Sequence, residues 1–219
     1  VGGDFFAELP GRNDGEHVVI YGDVSGKSIS GALMMMAAHE VLNSVALAHP
    51  EPENLLRLAN ERLYALRGNR ERTGIQGGSF VALGYLGFRA GSGAFSYTLA
   101  GQPPPMLRRS SGSVECLEMP DHRLPLGAMR VGGHQMIERE LEIGDLIVAY
   151  SDGVVEAQSP TGDFFGEERL ALSLADAPAD PQGAVNFLLE EIEAFTCGHT
   201  PYDDVTLLAA SWSANEKSA

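Results

Sequence analysis

Residues 17–21, His-Val-Val-Ile-Tyr, form an apolar run that passes directly into Gly22-Asp23-Val24-Ser25-Gly26-Lys27-Ser28, and a helical apolar pattern starts at Ile29. A carboxylate set between glycines, where a buried strand gives way to a helix, is presented by the backbone, and such positions commonly do chemistry. Three readings fit the stretch. It can be a solvated turn in which Asp23 or Ser28 caps the helix and the glycines take turn dihedrals. It can be a phosphate-cradling loop, since Gly26-Lys27-Ser28 matches the end of that motif, but the motif needs a glycine where Tyr21 stands. Or Asp23 can be a metal carboxylate, which requires other carboxylates at the same place.

The upstream residues supply one. Residues 3–9, Gly-Asp-Phe-Phe-Ala-Glu-Leu, read as a strand, residues 10–16 as a polar turn, and residues 17–23 as a second strand. Folding this hairpin about the centre of its turn sets opposite one another residues whose numbers sum to about 26 or 27, so Asp4 falls beside Gly22 or Asp23. A shift of one residue decides whether the two carboxylates share a face.

From Ile29, the residues Ala32, Leu33, Met36, Ala37, Val41, Val45 and Ala48 keep helical spacing and predict one inward face. Met34, Met35 and Met36 read as core filling, because no soft-metal ligands accompany them. A second helix is predicted with Leu55, Leu56, Ala59, Leu63 and Leu66 inward, Arg57, Glu61 and Arg62 outward, and Gly68 as its stop. The pair is expected to form a helical layer over a sheet, with residues 69–78 as a connecting loop. Residues 80–86, 94–99, 104–108, 114–117, 134–141 and 146–151 are strand candidates separated by Gly, Pro and Ser turns, which suggests an antiparallel sandwich. Helices return at 166–174 and after Asp180-Pro181, an N-cap and first-turn proline, with Ala184, Leu188, Ile192 and Phe195 inward and Gly198 at the stop. Residues 205–210 close the chain as a strand.

Asp152 follows the apolar run 146–150, and Asp203 and Asp204 precede the closing strand. Each alone is a turn residue. If those strands are antiparallel neighbours, Asp152 and Asp203 meet as Asp4 and Asp23 do, and about four carboxylates gather at one edge. Like charges that close need a cation between them. Oxygen ligands without histidine or cysteine favour Mg²⁺ or Mn²⁺, and two such ions can activate a water for attack on a phosphoryl group.

Composition agrees. The 219 residues suffice for one domain with a sizeable core, and a net charge of −15 disfavours nucleic acid or an anionic membrane as partner while suiting cations or basic protein surfaces. The apolar run at residues 32–38 is too short to cross a bilayer, so no membrane span is expected. Cys116 and Cys197 are widely separated and lack ligand spacing, which reads as two packed thiols in a reducing, cytoplasmic setting. His39 and His49 read as helix-surface or packing residues and His199 as a loop residue. The start at Val1 suggests a fragment of a longer chain.

An ordered series of motifs then stands out. Gly2-Gly3-Asp4-Phe5-Phe6, Gly22-Asp23-Val24-Ser25-Gly26-Lys27, Ala100-Gly101-Gln102-Pro103-Pro104-Pro105, Leu124-Pro125-Leu126-Gly127, Gly144-Asp145-Leu146, Tyr150-Ser151-Asp152-Gly153-Val154-Val155-Glu156, Phe164-Phe165-Gly166-Glu167-Glu168-Arg169-Leu170 and Asp203-Asp204-Val205-Thr206-Leu207 resemble the metal-dependent protein phosphatases (PPM), in their bacterial SpoIIE-like, RsbU-like serine phosphatase branch. The match is in order and covers nearly the whole chain.

The resemblance implies an α+β fold, an αββα four-layer sandwich of two packed antiparallel sheets flanked by helices. It implies two Mn²⁺ or Mg²⁺ ions and hydrolysis of phosphoserine or phosphothreonine. Asp23 would bridge the ions, the Val24 carbonyl would bind one, and Asp152 and Asp203 would complete one shell. Asp4 would face the site as an outer partner or further ligand, and Asp204 ranks below Asp203. Asp23 and Asp152 would act through metal-bound water. Lys27 is a candidate for orienting the phosphate, beside the plain reading as a solvated turn lysine. The branch implies a phosphorylated STAS-type anti-sigma-factor antagonist as substrate, in stress or developmental signalling. It also implies a phosphatase domain over residues 1–213 with a tail at 214–219, and an upstream sensory or receiver domain with which a homodimer is compatible. Ser28 stands where the branch has glycine and Gln102 where it has histidine, and neither removes a ligand. The rival reading is a phosphatase-like regulatory binding module with little turnover, against which the retained Asp4, Asp23, Asp152 and Asp203 argue; a nucleotide switch is the distant third.

Overall fold

The computed structural model describes residues 3–25, 29–72, 80–199 and 202–213. Lys27, Ser28, the loop residues 73–78 and the tail at 214–219 lie outside the described residues, as does the side chain of Ile29. The fold is α+β, with two antiparallel sheets and flanking helices, and the chain divides into two compact units, Val1–Gln102 with Met119–Arg139, and Pro103–Glu118 with Glu140–Ala219.

With elements numbered in chain order, the first unit holds strands β1 (Phe5–Pro10), β2 (Glu16–Val24), β3 (Val81–Arg89), β4 (Ala94–Ala100) and β7 (Ile137–Glu140), in that spatial order, with β1 at one edge. The β1–β2 hairpin closes where the Asn13 carbonyl accepts from Glu16 N (3.0 Å), and the Arg12 guanidinium grips the Glu16 carboxylate at 2.6 Å. Its register runs from Phe5 opposite Gly22 to Pro10 opposite His17, so paired numbers sum to 27. Side chains alternate across the strands. Phe5, Leu9, Val18, Ile20 and Val24 therefore share one face and pack in a core with helices α1 (Ile29–Ala48) and α2 (Pro52–Arg72).

The phase of α1 differs from the expectation. Leu33 and Met36 are 56% and 66% exposed, whereas Met34, Ala38, Leu42, Val45 and Ala46 are buried. Residues 31–38 are apolar almost all round, so periodicity carries no phase there, and packing on β1, β2 and α2 sets it. The same composition overturns the argument from the short apolar run: Gly31–Ala48, 18 residues with mean hydropathy 1.3, is long and apolar enough to cross a bilayer. Here one side of that helix lies in the core of the first unit. Nor does α2 stop at Gly68, since it continues to Arg72; a glycine costs a helix interior about 1 kcal/mol without ending it. Leu66, expected inward, is 37% exposed.

The second unit orders β6 (Val114–Cys116), β5 (Met106–Arg108), β8 (Leu146–Tyr150) and β9 (Leu207–Ser211) in an antiparallel sheet, and adds helices α3 (Asp152–Val155), α4 (Gly166–Asp176) and α5 (Pro181–Thr196). Leu146, Val148 and Tyr150 meet Leu170, Leu174, Leu188 and Ile192 in its core. As expected, Asp180 caps α5, accepting from Gly183 N at 2.7 Å, and the helix ends at Cys197 (φ 53°) and Gly198 (φ 73°). The buried Arg108 guanidinium donates to the Leu174, Ala177 and Pro178 carbonyls, a cation placed at the C-terminal end of α4 where carbonyl oxygens face outward. Cys116 and Cys197 are exposed, against the expectation of packed thiols, because one sits on an edge strand and the other past the last turn of α5.

Candidate functional site

In the first unit the register settles the question of the face. Phe5 pairs with Gly22, so Asp4, one residue earlier, lies opposite Asp23, and residues directly opposite in an antiparallel pair share a face. That face is the one turned away from α1 and α2, because the helix-facing set is Val18, Ile20 and Val24. Gly3 makes the arrangement possible. A Cβ built on Gly3 would meet the Asp23 Oδ1 and would lie 2.8 Å from the Val24 carbonyl oxygen, so the two oxygens converge on space that only glycine leaves open. The strand there is held by Val24 N donating to the Gly3 carbonyl (3.2 Å).

The neighbours of Asp23 are tightly specified. Tyr21, on the same face, is wholly buried, and its ring occupies the place a side chain on Gly84 would take. Burial pushes the Tyr21 phenol well above its ordinary range, so it stays protonated and adds no charge beside the carboxylates. Gln102, buried to 3% exposure, donates to the carbonyl of Ala82 (3.5 Å), the residue paired with Asp23. Ser25 N donates to the Phe80 carbonyl (3.1 Å), and Ser25 Oγ accepts from Phe80 N (2.9 Å), which closes the end of β2.

In the second unit Asp152 opens α3 directly after β8, with Ser151 as the N-cap residue. Tyr150 pairs with Leu207, and the pairing extends past the strand: Ser151 N donates to the Thr206 carbonyl (3.1 Å), and Ser151 Oγ accepts from Thr206 N (3.0 Å) while donating to the Asp204 carbonyl (3.3 Å). A Cβ on Gly153 would strike that same Asp204 carbonyl oxygen and lie 3.5 Å from the Asp203 Cβ. Asp203 is thus brought to the start of α3, where its Oδ1 accepts from Asp204 N (2.9 Å). The antiparallel neighbourhood of β8 and β9 expected from the sequence is the reason.

Each unit therefore supplies a pair, Asp4 with Asp23 and Asp152 with Asp203. Among the described residues no group of three or more His, Cys, Asp or Glu side chains is arranged to hold a metal ion. Sequence reasoning passed over Gly3, Ser151 and Gly153 as positioning residues. Their signal was present, since a small residue flanks Asp4 and both sides of Asp152, but smallness alone does not say which atom needs the space. His39 contacts Asn43 on the exposed side of α1, and His199 bonds the Thr196 carbonyl.

The family described as "Stage II sporulation protein E (SpoIIE)" matches residues 13–213. The chain is 24% identical over 229 residues to Protein IcfG of Synechocystis sp., covering 95% of this chain and 36% of that protein. It is 24% identical over 140 residues to the phosphoserine phosphatase RsbU of Bacillus subtilis, covering 64% of this chain and 39% of RsbU. It thus spans well under half the length of either curated relative. The solved structure of the RsbU and RsbW domains of Rv1364c from Mycobacterium tuberculosis superposes with a TM-score of 0.77 at 25% identity, over 98% of this chain and 57% of that one.

Proposed function

Because the chain belongs to the SpoIIE family, in the RsbU- and SpoIIE-like branch of the metal-dependent PPM serine/threonine phosphatases, we propose that it hydrolyses phosphoserine or phosphothreonine in a protein substrate with two Mn²⁺ or Mg²⁺ ions. The observation that carries this reading is the convergence of the Asp23 carboxylate and the Val24 carbonyl on the space beside Gly3. Asp4, which the same register sets opposite Asp23, is the further oxygen donor we assign. In the second unit Asp152 and Asp203 are the donors we assign. An all-oxygen set without histidine or cysteine suits a hard divalent cation. Such a cation, when bound, lowers the pKa of a water and offsets phosphoryl charge.

The chain's own part is to present these oxygens at fixed positions. The Gly3–Val24 backbone bond anchors the strand end under Asp23, and the protonated, buried Tyr21 adds no charge beside it. Ser151 ties the start of α3 to the segment bearing Asp203 and Asp204. Asp204 carries a lesser role, and Lys27 remains the candidate for orienting the phosphate. The substrate we assign is a phosphorylated STAS-type anti-sigma-factor antagonist, on the strength of the branch.

Hydrolysis of p-nitrophenyl phosphate tests the reading. Turnover is expected with Mn²⁺, absent with chelator, and reduced at least about a hundredfold in Asp23→Asn. Folded protein that neither turns over nor takes up Mn²⁺ in calorimetry would be a binding module instead.

A further inference from the structure

Two exposed phenylalanines bracket the Asp4–Asp23 pair on one face of the first unit's sheet. Phe6 pairs with Tyr21, two residues along β1 from Asp4 and on the same side of the strand, and is 66% exposed. Its neighbour Phe5 is the one the fold uses, with its ring 2.8 Å from where a Cβ on Gly22 would sit and its side chain in the core. Phe6 has no comparable packing role. On the other side, the Val24–Val81 pair and the Ser25 N to Phe80 carbonyl bond carry the β2–β3 register on to Ser25 and Phe80, two positions past Asp23. Phe80 is 38% exposed. Strand alternation puts it on the face of Asp23. β1 is an edge strand, and in its row Phe6 is exposed while Tyr21 opposite it is wholly buried, so a ligand at that row lies over β1.

We infer that Phe6, supported by Phe80, selects the substrate: the preferred ligand is an extended phosphoserine segment with apolar side chains two residues to either side of the phosphoserine. The inference rests on the phosphatase reading above. An extended peptide rises about 3.4 Å per residue, as do the strands beneath it. With the phosphoserine at the row of Asp4 and Asp23, the side chains at −2 and +2 fall about 7 Å to either side along the strands; Phe6 stands on β1 and Phe80 in line with β3, about 10 Å across the sheet, so the segment crosses β2 obliquely at Asp23. Aromatic rings offered there bury apolar area that a small aryl phosphate cannot use.

The test is steady-state kinetics with Mn²⁺ on two phosphoserine peptides of equal charge, one with Leu and one with Ser at both −2 and +2. Wild type is expected to favour the Leu peptide about tenfold in kcat/KM, mostly through KM. Phe6→Ala is expected to cut that preference to about threefold or less, Phe6→Leu to keep most of it, and Phe6→Ala with Phe80→Ala to remove it. The preference is a ratio within one preparation, so a general loss of folding or metal lowers both peptides together and leaves it unmoved. No preference in wild type, or an undiminished one in Phe6→Ala, overturns the inference while Mn²⁺-dependent turnover of p-nitrophenyl phosphate leaves the phosphatase reading standing. Absence of that turnover in wild type overturns both.

Discussion

At Gly153 even a methyl group would run into the Asp204 carbonyl oxygen, so Gly153→Ala must push the segment bearing Asp203 away from α3. A stability loss of about 1–3 kcal/mol is expected in urea unfolding, together with a fall in Mn²⁺-dependent turnover. Arg12 and Glu16 make a second prediction, about pH. Hydrogen bonds from the Arg12 guanidinium, with further help from the Arg12 backbone N–H, hold the Glu16 carboxyl below its ordinary value of 4.5. A carboxyl with a lower pKa folded than unfolded binds fewer protons when folded, so its stabilisation is present above that ordinary value and is lost as pH falls through the folded one. Arg12 is 40% exposed, so solvent weakens the pair. Glu16→Gln is expected to cost about 1 kcal/mol near neutral pH and close to nothing in acid, read from urea melts at the two conditions. Both residues were legible in the sequence only as turn chemistry; the partners that give them these roles belong to the folded chain.

Among the elements, α1 separates what periodicity can and cannot say. Its existence and span follow from a long apolar pattern before Pro50, and the structure places it over Ile29–Ala48. Its buried face does not follow, because residues 31–38 are apolar almost all round and offer the core several near-equivalent choices. Met34 is 2% exposed and Met36 66%, so Met34→Ala is expected to cost about 2–4 kcal/mol and Met36→Ala less than about 0.5, by denaturant midpoint at constant m-value. The four-residue α3 is too short to show a period at all, and its first residue is Asp152. By contrast, α5 was readable end to end, since Asp180-Pro181 and Gly198 are local signals that need no partner.

For the molecule as a whole, a bound cation and the folded state should be linked. Mn²⁺ at about a hundred times its dissociation constant is expected to add about 2.7 kcal/mol to unfolding, seen as a concentration-dependent rise in Tm that chelator reverses. Asp23→Asn is expected to lose most of that rise while the metal-free protein still melts cooperatively. By itself the sequence determined the order of strands and helices, the hairpin register to within one residue, the motif series that names the family, and Asp4, Asp23, Asp152 and Asp203 as the candidates. These are carried by period, turn residues and spacing, which act over a few neighbouring positions. Only the tertiary structure decided that paired numbers sum to 27, so that Asp4 and Asp23 share a face, and that Asp203 rests against Gly153. It also decided which side of α1 is buried, that Arg108 closes the end of α4, and that Phe6 stands exposed while Phe5 is in the core. Each of these depends on close approach between segments far apart in the chain, where a difference of one residue or one methyl group changes the outcome and no local pattern records it.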